Sequence, residues 1–225
     1  VHGFTISDVD SKYEEKDLVN ESVKELGIEH TFIQPRHEGF LENIHRLVAL
    51  HDAPVSTISY YVHWKLMESV ASQGYKVSIS GTGADELFTG YYDHHNLYLN
   101  EVSKDELLYK KSLDAWEKYQ LPIVRNPFLQ DPELYIKDPF FRKHIYLNND
   151  IFKNYIKQKW EEDFTENDYG YGPLRNRMLN ELFVEGTRVI LNEDDLNAMS
   201  FSIENRSPFL DKNLFQIAYS IPVEH

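Results

Sequence analysis

The stretch Ser80-Gly81-Thr82-Gly83-Ala84-Asp85-Glu86-Leu87-Phe88-Thr89-Gly90-Tyr91 holds the residue types and spacing most capable of chemistry in this 225-residue chain. Gly81 and Gly83 permit positive φ and let backbone N–H groups approach an anion closely. Asp85 and Glu86 follow side by side where the pattern predicts a helix start, whose positive dipole end adds to the attraction. Two carboxylates beside an anion-friendly backbone make chemical sense if a divalent cation bridges them to phosphate. The segment therefore points to a magnesium–nucleotide site at the carboxyl end of a short strand over residues 76–79. The competing reading is an ordinary strand-to-helix turn, in which glycines and an Asp-Glu first turn are both common.

A second segment decides between them. Ser200-Phe201-Ser202-Ile203-Glu204-Asn205-Arg206-Ser207-Pro208-Phe209-Leu210-Asp211 lies downstream, preceded by Asn192-Glu193-Asp194-Asp195-Leu196-Asn197-Ala198-Met199. The pair resembles the synthetase domain of asparagine synthetases, where S-G-x-G-[AS]-D-E-[LVI]-F-x-G-Y is followed at a distance by S-x-E-x-R-x-P-F-L-D. The resemblance extends to the start of the chain. Val1-His2-Gly3-Phe4-Thr5-Ile6 looks like the family's second sheet strand, followed by an acidic helix over 13–26 and a strand over 27–32. Essentially the whole chain is covered. The family's pyrophosphate loop, S-G-G-x-D-S, is expected N-terminal to residue 1, and a lysine-bearing basic segment is expected beyond Asp211. The sequence contains neither, so the resemblance implies a piece of a longer protein, inactive when isolated.

The family resemblance implies an α/β fold: a parallel sheet flanked by helices, of the adenine nucleotide alpha hydrolase type, with a mainly helical C-terminal portion. Residues 1–100 would form the nucleotide-binding part and 101–225 the helical part that carries the second motif. It implies ATP and Mg²⁺ as cofactors, and amide formation through an acyl-adenylate that ammonia attacks. Its partners would be a small-molecule carboxylate, most readily aspartate, and a glutaminase domain in the parent chain or on a separate subunit; a homodimer is compatible. Position by position, Ile6 would offer a backbone contact to adenine or ribose. Ser80, Gly81 and Gly83 would contact the nucleotide, and Asp85 would hold Mg²⁺ and pyrophosphate with Glu86 in support. Glu204 and Arg206 would face the substrate, with Arg206 counted among the catalytic groups; a buried ion-pair network involving Asp211 is the alternative. Asp211 is expected to fix its loop. Asp194-Asp195 reads better as a helix N-terminus or a solvated pair than as an active-site wall.

Two departures stand out. Asparagine synthetases usually carry Glu where this chain has Thr82, and often Arg where it has Leu196. A threonine hydroxyl at the catalytic position cannot serve as a base at neutral pH but can hydrogen-bond an oxyanion or phosphate. Amidation of another carboxylate, such as a sugar uronic acid, is therefore a competing reading. A non-catalytic nucleotide-binding or interaction module is a third.

Composition narrows the field. A formal net charge of −14 disfavours nucleic acid as a partner, because phosphate-backbone binding needs clustered cations. No apolar run approaches the length of a membrane span, and no secretory leader is evident, so a cytoplasmic setting without membrane is expected. With no cysteine, disulfides, thiolate metal sites and a cysteine nucleophile are excluded from this piece. Fifteen Tyr, 13 Phe and 3 Trp supply enough aromatic bulk for a substantial core.

The elements that must position these residues follow from periodicity. Val19, Val23 and Leu26 mark a helix closed by Gly27; Phe40, Leu41, Ile44, Leu47 and Val48 mark a second; Ile58, Tyr61, Val62, Leu66 and Val70 a third, ending near Gly74. Strand, helix, strand, helices, strand, helix is the rhythm of a parallel sheet, which binds ligands at its carboxyl edge, where Ile6 and Ser80 fall. Beyond residue 100 no further parallel strand is evident. Helices are predicted over 104–119, 148–160 and 175–190, the last with Met178, Leu179, Leu182, Phe183 and Val189 on one side. Prolines 122, 127, 132 and 139 break the stretch between the first two. Asp93-His94-His95 does not read as a zinc site, since adjacent histidines point apart. His37, His45, His51 and His63 share no ligand spacing.

Overall fold

The computed structural model describes residues 1–7, 16–34, 38–145, 151, 153–158 and 165–225. His37 and residues 148–150, 152, 159 and 160 of the expected helix over 148–160 lie outside them, and the described 153–158 forms turns rather than that helix. The chain is α/β with parallel strands and divides into two compact units. The first comprises Val1–Ser80 and Val189–Pro208, the second Gly81–Arg188 and Phe209–His225. Both sequence motifs are thus shared out, the chain leaving the first unit between Ser80 and Gly81 and again between Pro208 and Phe209.

In the first unit, β1 (His2–Ile6) and β2 (Glu29–Ile33) pair in parallel, His2 opposite Glu29 and Ile6 opposite Ile33, with α1 (Lys16–Leu26) as the crossover. Parallel neighbours require such a crossover, and a helix is its usual form. Gly27, at φ 62°, supplies the left-handed residue that ends α1. Two helices follow, α2 (Phe40–His51) and α3 (Ile58–Ser72), whose apolar faces meet around Leu47, Tyr60, Tyr61 and Trp64. Next comes β3 (Val77–Ile79), which pairs in parallel with β4 (Glu204–Arg206), Val77 opposite Glu204 and Ile79 opposite Arg206. β4 corrects the expectation of no parallel strand beyond residue 100. Three residues of Glu-Asn-Arg show no alternation of their own, and their extended state comes from the ladder with β3. Met67 and Val70 of α3 pack with Ala198 and the fully buried Ile203, and with Phe4 of β1.

Among the described residues the strands form two two-stranded sheets rather than one. β1 and β3 both line a cleft of about 720 Å³, together with apolar side chains of α1 and α3 such as Leu18, Leu26, Leu66 and Val70. Parallel sheets normally have both faces covered, yet Val77 is 45% and Ile79 72% exposed, and every β1 residue is only half-buried.

The second unit begins with α4 (Ala84–Phe88), α5 (Tyr92–Val102) and α6 (Glu106–Ala115). Asp105 caps α6, its carboxylate accepting from Leu108 N at 3.0 Å. The helix expected over 104–119 ends at Ala115 and continues as a π-type turn, Trp116–Gln120. The proline-broken stretch yields only a 3₁₀ turn at Pro127–Gln130 and the single-turn α7 (Leu134–Lys137). The helix expected over 175–190 is two: α8 (Pro173–Phe183) and α9 (Gly186–Met199), α9 running on into the first unit. The break has a local cause. Val184 N and Glu185 N both donate to Asn180 O, which closes α8 before Gly186. Phe183 and Val189 are consequently about half exposed instead of core. α10 (Lys212–Ser220) ends the unit. Its core has Leu97, Val124, Leu129, Tyr135, Leu174 and Met178 in one cluster and Leu87, Leu182 and Ala218 in another. Among the described residues no helix is long and apolar enough to cross a membrane.

Candidate functional site

The β3–β4 ladder brings the two motifs side by side in the first unit. Ser78 Oγ donates to Asn205 Oδ1 at 2.6 Å, and Ser80 N to Arg206 O at 2.9 Å; the Ser80 and Ser207 hydroxyls lie 3.1 Å apart. Because the strands are parallel, both motifs leave the sheet from the same edge. Ile6 ends β1, and the ladder there continues one step, Ser7 N donating to Ile33 O at 2.8 Å. Glu204 and Arg206, two apart on one strand, share a face. Arg206 Nε donates to Glu204 Oε1 at 2.9 Å, with side chains 60% and 62% exposed. That pairing lowers the Glu204 pKa and raises that of Arg206. A buried ion-pair network is thus corrected to an exposed pair.

The motifs meet again in the second unit. Gly83 has φ 92°, and a Cβ there would lie 2.6 Å from Leu210 Cδ2, so both its left-handed backbone and its missing side chain are required. Gly81, by contrast, faces open space. Ala84 N donates to Gly81 O at 3.0 Å, closing the turn over the half-buried Thr82. Asp211 caps α10, accepting from Asn213 N at 2.8 Å and Leu214 N at 3.1 Å, which is the loop-fixing role its position suggested.

Asp85 and Glu86 part company. Successive helix residues lie about 100° apart around the axis, and here Asp85 is exposed while Glu86 is 3% exposed. Tyr91 OH donates to Glu86 Oε1 at 2.8 Å. Burial and the neighbouring Glu86 charge both raise the Asp85 pKa, His94 opposing them. An exposed carboxylate already strained by a second negative charge suits a hard divalent cation such as Mg²⁺. The helix-end field expected here is minor, because α4 has only five residues and the dipole sums over its length.

Sequence reasoning missed a buried polar network in the same unit. His94, fully buried, contacts Glu181 at 2.6 Å between Nε2 and Oε2. Arg177 reaches Glu181 at 3.0 Å, Glu185 at 2.7 Å and Glu166 at 2.8 Å, and lies 3.6 Å from Asp93. His144 contacts Asp93 at 3.2 Å. Burial pushes the Asp93 carboxyl up, but the His144 hydrogen bond and the His94 and Arg177 charges outweigh it and hold it at about 2. Asp93, His94 and Glu181 have ligand atoms within 4.8 Å of one another, yet the Arg177 guanidinium already supplies the positive charge a metal would bring. The network ties α5 to α8.

A second network surrounds the acidic stretch of α9 in the first unit. Asn197 donates to Tyr60 O at 3.1 Å and faces His63 Nδ1 at 3.2 Å, and His51 Nε2 lies 2.9 Å from Asn197 Oδ1. Asp194 is buried in mid-helix, 3.5 Å from His63 Nε2, which corrects its assignment to a helix start or a solvated pair. Beside it, Glu193 is 6% exposed, and burial with the Asp194 charge pushes its carboxyl up to about 7.

The comparisons agree with the motifs. The glutamine-hydrolysing asparagine synthetase 1 of Bacillus subtilis (strain 168) is 24% identical over 241 residues, covering 98% of this chain and 36% of the relative. The chain therefore spans little more than a third of that relative's length. The asparagine synthase model matches residues 1–225 from end to end. With the β3–β4 pairing joining both motifs and the family model covering the whole sequence, this chain belongs to the asparagine synthase family.

Proposed function

We propose that this chain is the synthetase part of an asparagine-synthetase-like amidotransferase, activating a carboxylate, aspartate first, with Mg-ATP for attack by glutamine-derived ammonia. The observation that carries the reading is the double meeting of the motifs, Ser80 with Arg206 and Ser207, and Gly83 with Leu210. In this scheme the substrate carboxylate oxygen attacks the α-phosphorus of ATP and pyrophosphate leaves. Ammonia then attacks the acyl carbon, AMP departs, and a proton is lost from nitrogen. Asp85 would hold Mg²⁺, whose contribution is to neutralise phosphate charge. The Ser80–Gly83 turn binds phosphate through backbone and hydroxyl, Ile6 borders the base, and the exposed Arg206, steadied by Glu204, receives the carboxylate substrate. The chain's own work is positioning and charge neutralisation.

The cleft between β1 and β3 supports the adenine nucleotide alpha hydrolase-type sheet. We propose that it receives a further parallel strand, leading into the pyrophosphate loop. Its apolar lining and the exposed Val77 and Ile79 are what such a strand and its following helix would cover. Thr82 favours a second reading, amidation of a carboxylate other than aspartate, because the usual glutamate is replaced by a group that cannot act as a base.

The test is carboxylate-dependent pyrophosphate release from Mg-ATP by the full protein, with ammonia supplied. Matching asparagine and AMP from aspartate supports the first reading; release only with other carboxylates supports the second. Silence across a broad carboxylate panel would leave a non-catalytic nucleotide-binding module. Asp85→Ala should abolish release without unfolding the protein.

A further inference from the structure

α4 is a five-residue helix between two left-handed residues, Gly83 at φ 92° and Thr89 at φ 65°. So short a helix has little rigidity of its own. Turning it by one residue would exchange Asp85 and Glu86, burying one carboxylate and exposing the other. Something outside the helix must fix its rotation.

Two contacts from the residues just beyond it do so. The Asp85 side chain folds back over Gly90: a Cβ on Gly90 would fall inside the Asp85 carboxylate and 2.8 Å from Asp85 Cβ. Gly90 N also donates to Asp85 O at 3.2 Å. Gly90 has no left-handed φ, so its small size, not its backbone freedom, is what Asp85 uses. On the other side, Tyr91 OH donates to Glu86 Oε1, and the Tyr91 ring packs edge-on against His94, centroids 5.2 Å apart. His94 is in turn held by Glu181 of α8. Glu86 is thereby anchored to the interior through Tyr91, and Leu87 secures the same side against Leu182 and Ala218.

We propose that Gly90 and Tyr91 are positioning residues for metal–nucleotide binding: Gly90 leaves the space in which the Asp85 carboxylate lies, and Tyr91 locks Glu86 inward, so that Asp85 faces Mg-ATP. The inference rests on the reading of Asp85 as the Mg²⁺ carboxylate. Tyr91 acts only through Glu86, and Gly90 only through Asp85. Neither touches the reacting atoms.

The experiment is a Mg²⁺ titration of pyrophosphate release by the full protein, comparing wild type, Gly90→Ala, Tyr91→Phe, Glu86→Gln and the double variant Tyr91→Phe/Glu86→Gln. Displacing a ligand by about 1 Å or removing a buried donor costs on the order of tenfold or more. The apparent Mg²⁺ half-saturation should rise about tenfold in Gly90→Ala and Tyr91→Phe, the scale of one lost hydrogen bond. The KM for the carboxylate should stay close to wild type, while the melting temperature falls in both variants, Gly90→Ala having to push Asp85 aside and Tyr91→Phe leaving the buried Glu86 without its donor. The double variant should be no worse than Glu86→Gln alone. A wild-type Mg²⁺ response in both Gly90→Ala and Tyr91→Phe, or an additive double variant, would overturn the inference while leaving the proposed function standing. An inactive wild type would remove the functional reading, and this inference with it. If Gly90→Ala fails to fold, Tyr91→Phe, which keeps the ring, still decides the matter.

Discussion

Glu193 offers a stability test whose sign and pH window follow from its surroundings. Its carboxylate is 6% exposed beside the equally buried Asp194. Among the described residues no hydrogen-bond donor reaches it. Burial first, and the Asp194 charge second, raise its pKa from 4.5 to about 7. His63, facing Asp194, is itself pushed down by burial, so it stays largely neutral near pH 7 and does little to offset the two carboxylates. Unfolded, Glu193 releases its proton near 4.5; folded, it keeps the proton until about 7. Between those values the native state binds more protons than the unfolded state, so stability falls as pH rises. The loss begins near pH 4.5 and is complete above about pH 7.

The magnitude follows from the same interval. At about 1.4 kcal/mol per pKa unit, the ceiling is about 3.5 kcal/mol, and relaxation with some water access makes about 1–3 kcal/mol the expected range. Glu193→Gln keeps the shape and removes the titration. It should match wild type near pH 4.5 apart from a constant offset, and gain about 1–3 kcal/mol relative to that offset by pH 8. Urea unfolding at half-unit steps from pH 4.5 to 8.5 measures both curves. A buried amide lacking partners can impose a cost of its own, but that cost does not vary with pH. The slope is therefore the readout. Parallel curves for wild type and Glu193→Gln would refute the reasoning, as would a difference that opens only above pH 8.

Three further outcomes are expected. Gly83→Ala places a Cβ 2.6 Å from Leu210 Cδ2 on a backbone at φ 92°, so it should destabilise by about 2–4 kcal/mol in denaturant unfolding, combining left-handed strain with overpacking. Asp211→Ala removes the acceptor for Asn213 N and Leu214 N and should cost about 1 kcal/mol, read as a lowered melting temperature with Asp211→Asn close to wild type. Hydrogen exchange tests the strand proposed between β1 and β3: with a segment carrying that strand added, amides of residues 2–6 and 77–79 should exchange at least tenfold more slowly than in the 225-residue chain alone, and equal rates in both would refute it.

The site was legible where chemistry is tied to a backbone requirement and obscure where it depends on which way a side chain turns. Gly83 had to be glycine for its φ, and Asp211 sits one residue before a helix, so both roles follow from local rules. Asp85 and Glu86 carry the same functional group one residue apart, and no local rule says which faces solvent; Tyr91 and the Leu87 cluster decide that. β4 was hidden for a related reason. A three-residue strand has no period to read, and its pairing partner lies 127 positions away. His94 and Glu181 are 87 apart, and nothing in either segment announces the other. Asp194 looked solvated because acidic pairs usually are, but one face of α9 is buried, and Asp194 lies on it, facing His63 of α3.

Two kinds of acidic pair follow from this contrast. Asp85-Glu86 divides its charges between surface and interior, and the interior one is met by a tyrosine hydroxyl. Glu193-Asp194 buries both. In the first pair the exposed member stays open to a cation, which is where a metal–nucleotide site needs it. In the second, the cost of two neighbouring buried charges is relieved by retaining a proton, with Glu193 still holding one up to about pH 7. The sequence writes both as adjacent carboxylates. Their different fates are set by the neighbouring helices, and they place the proposed metal chemistry on Asp85 and the pH dependence of stability on Glu193.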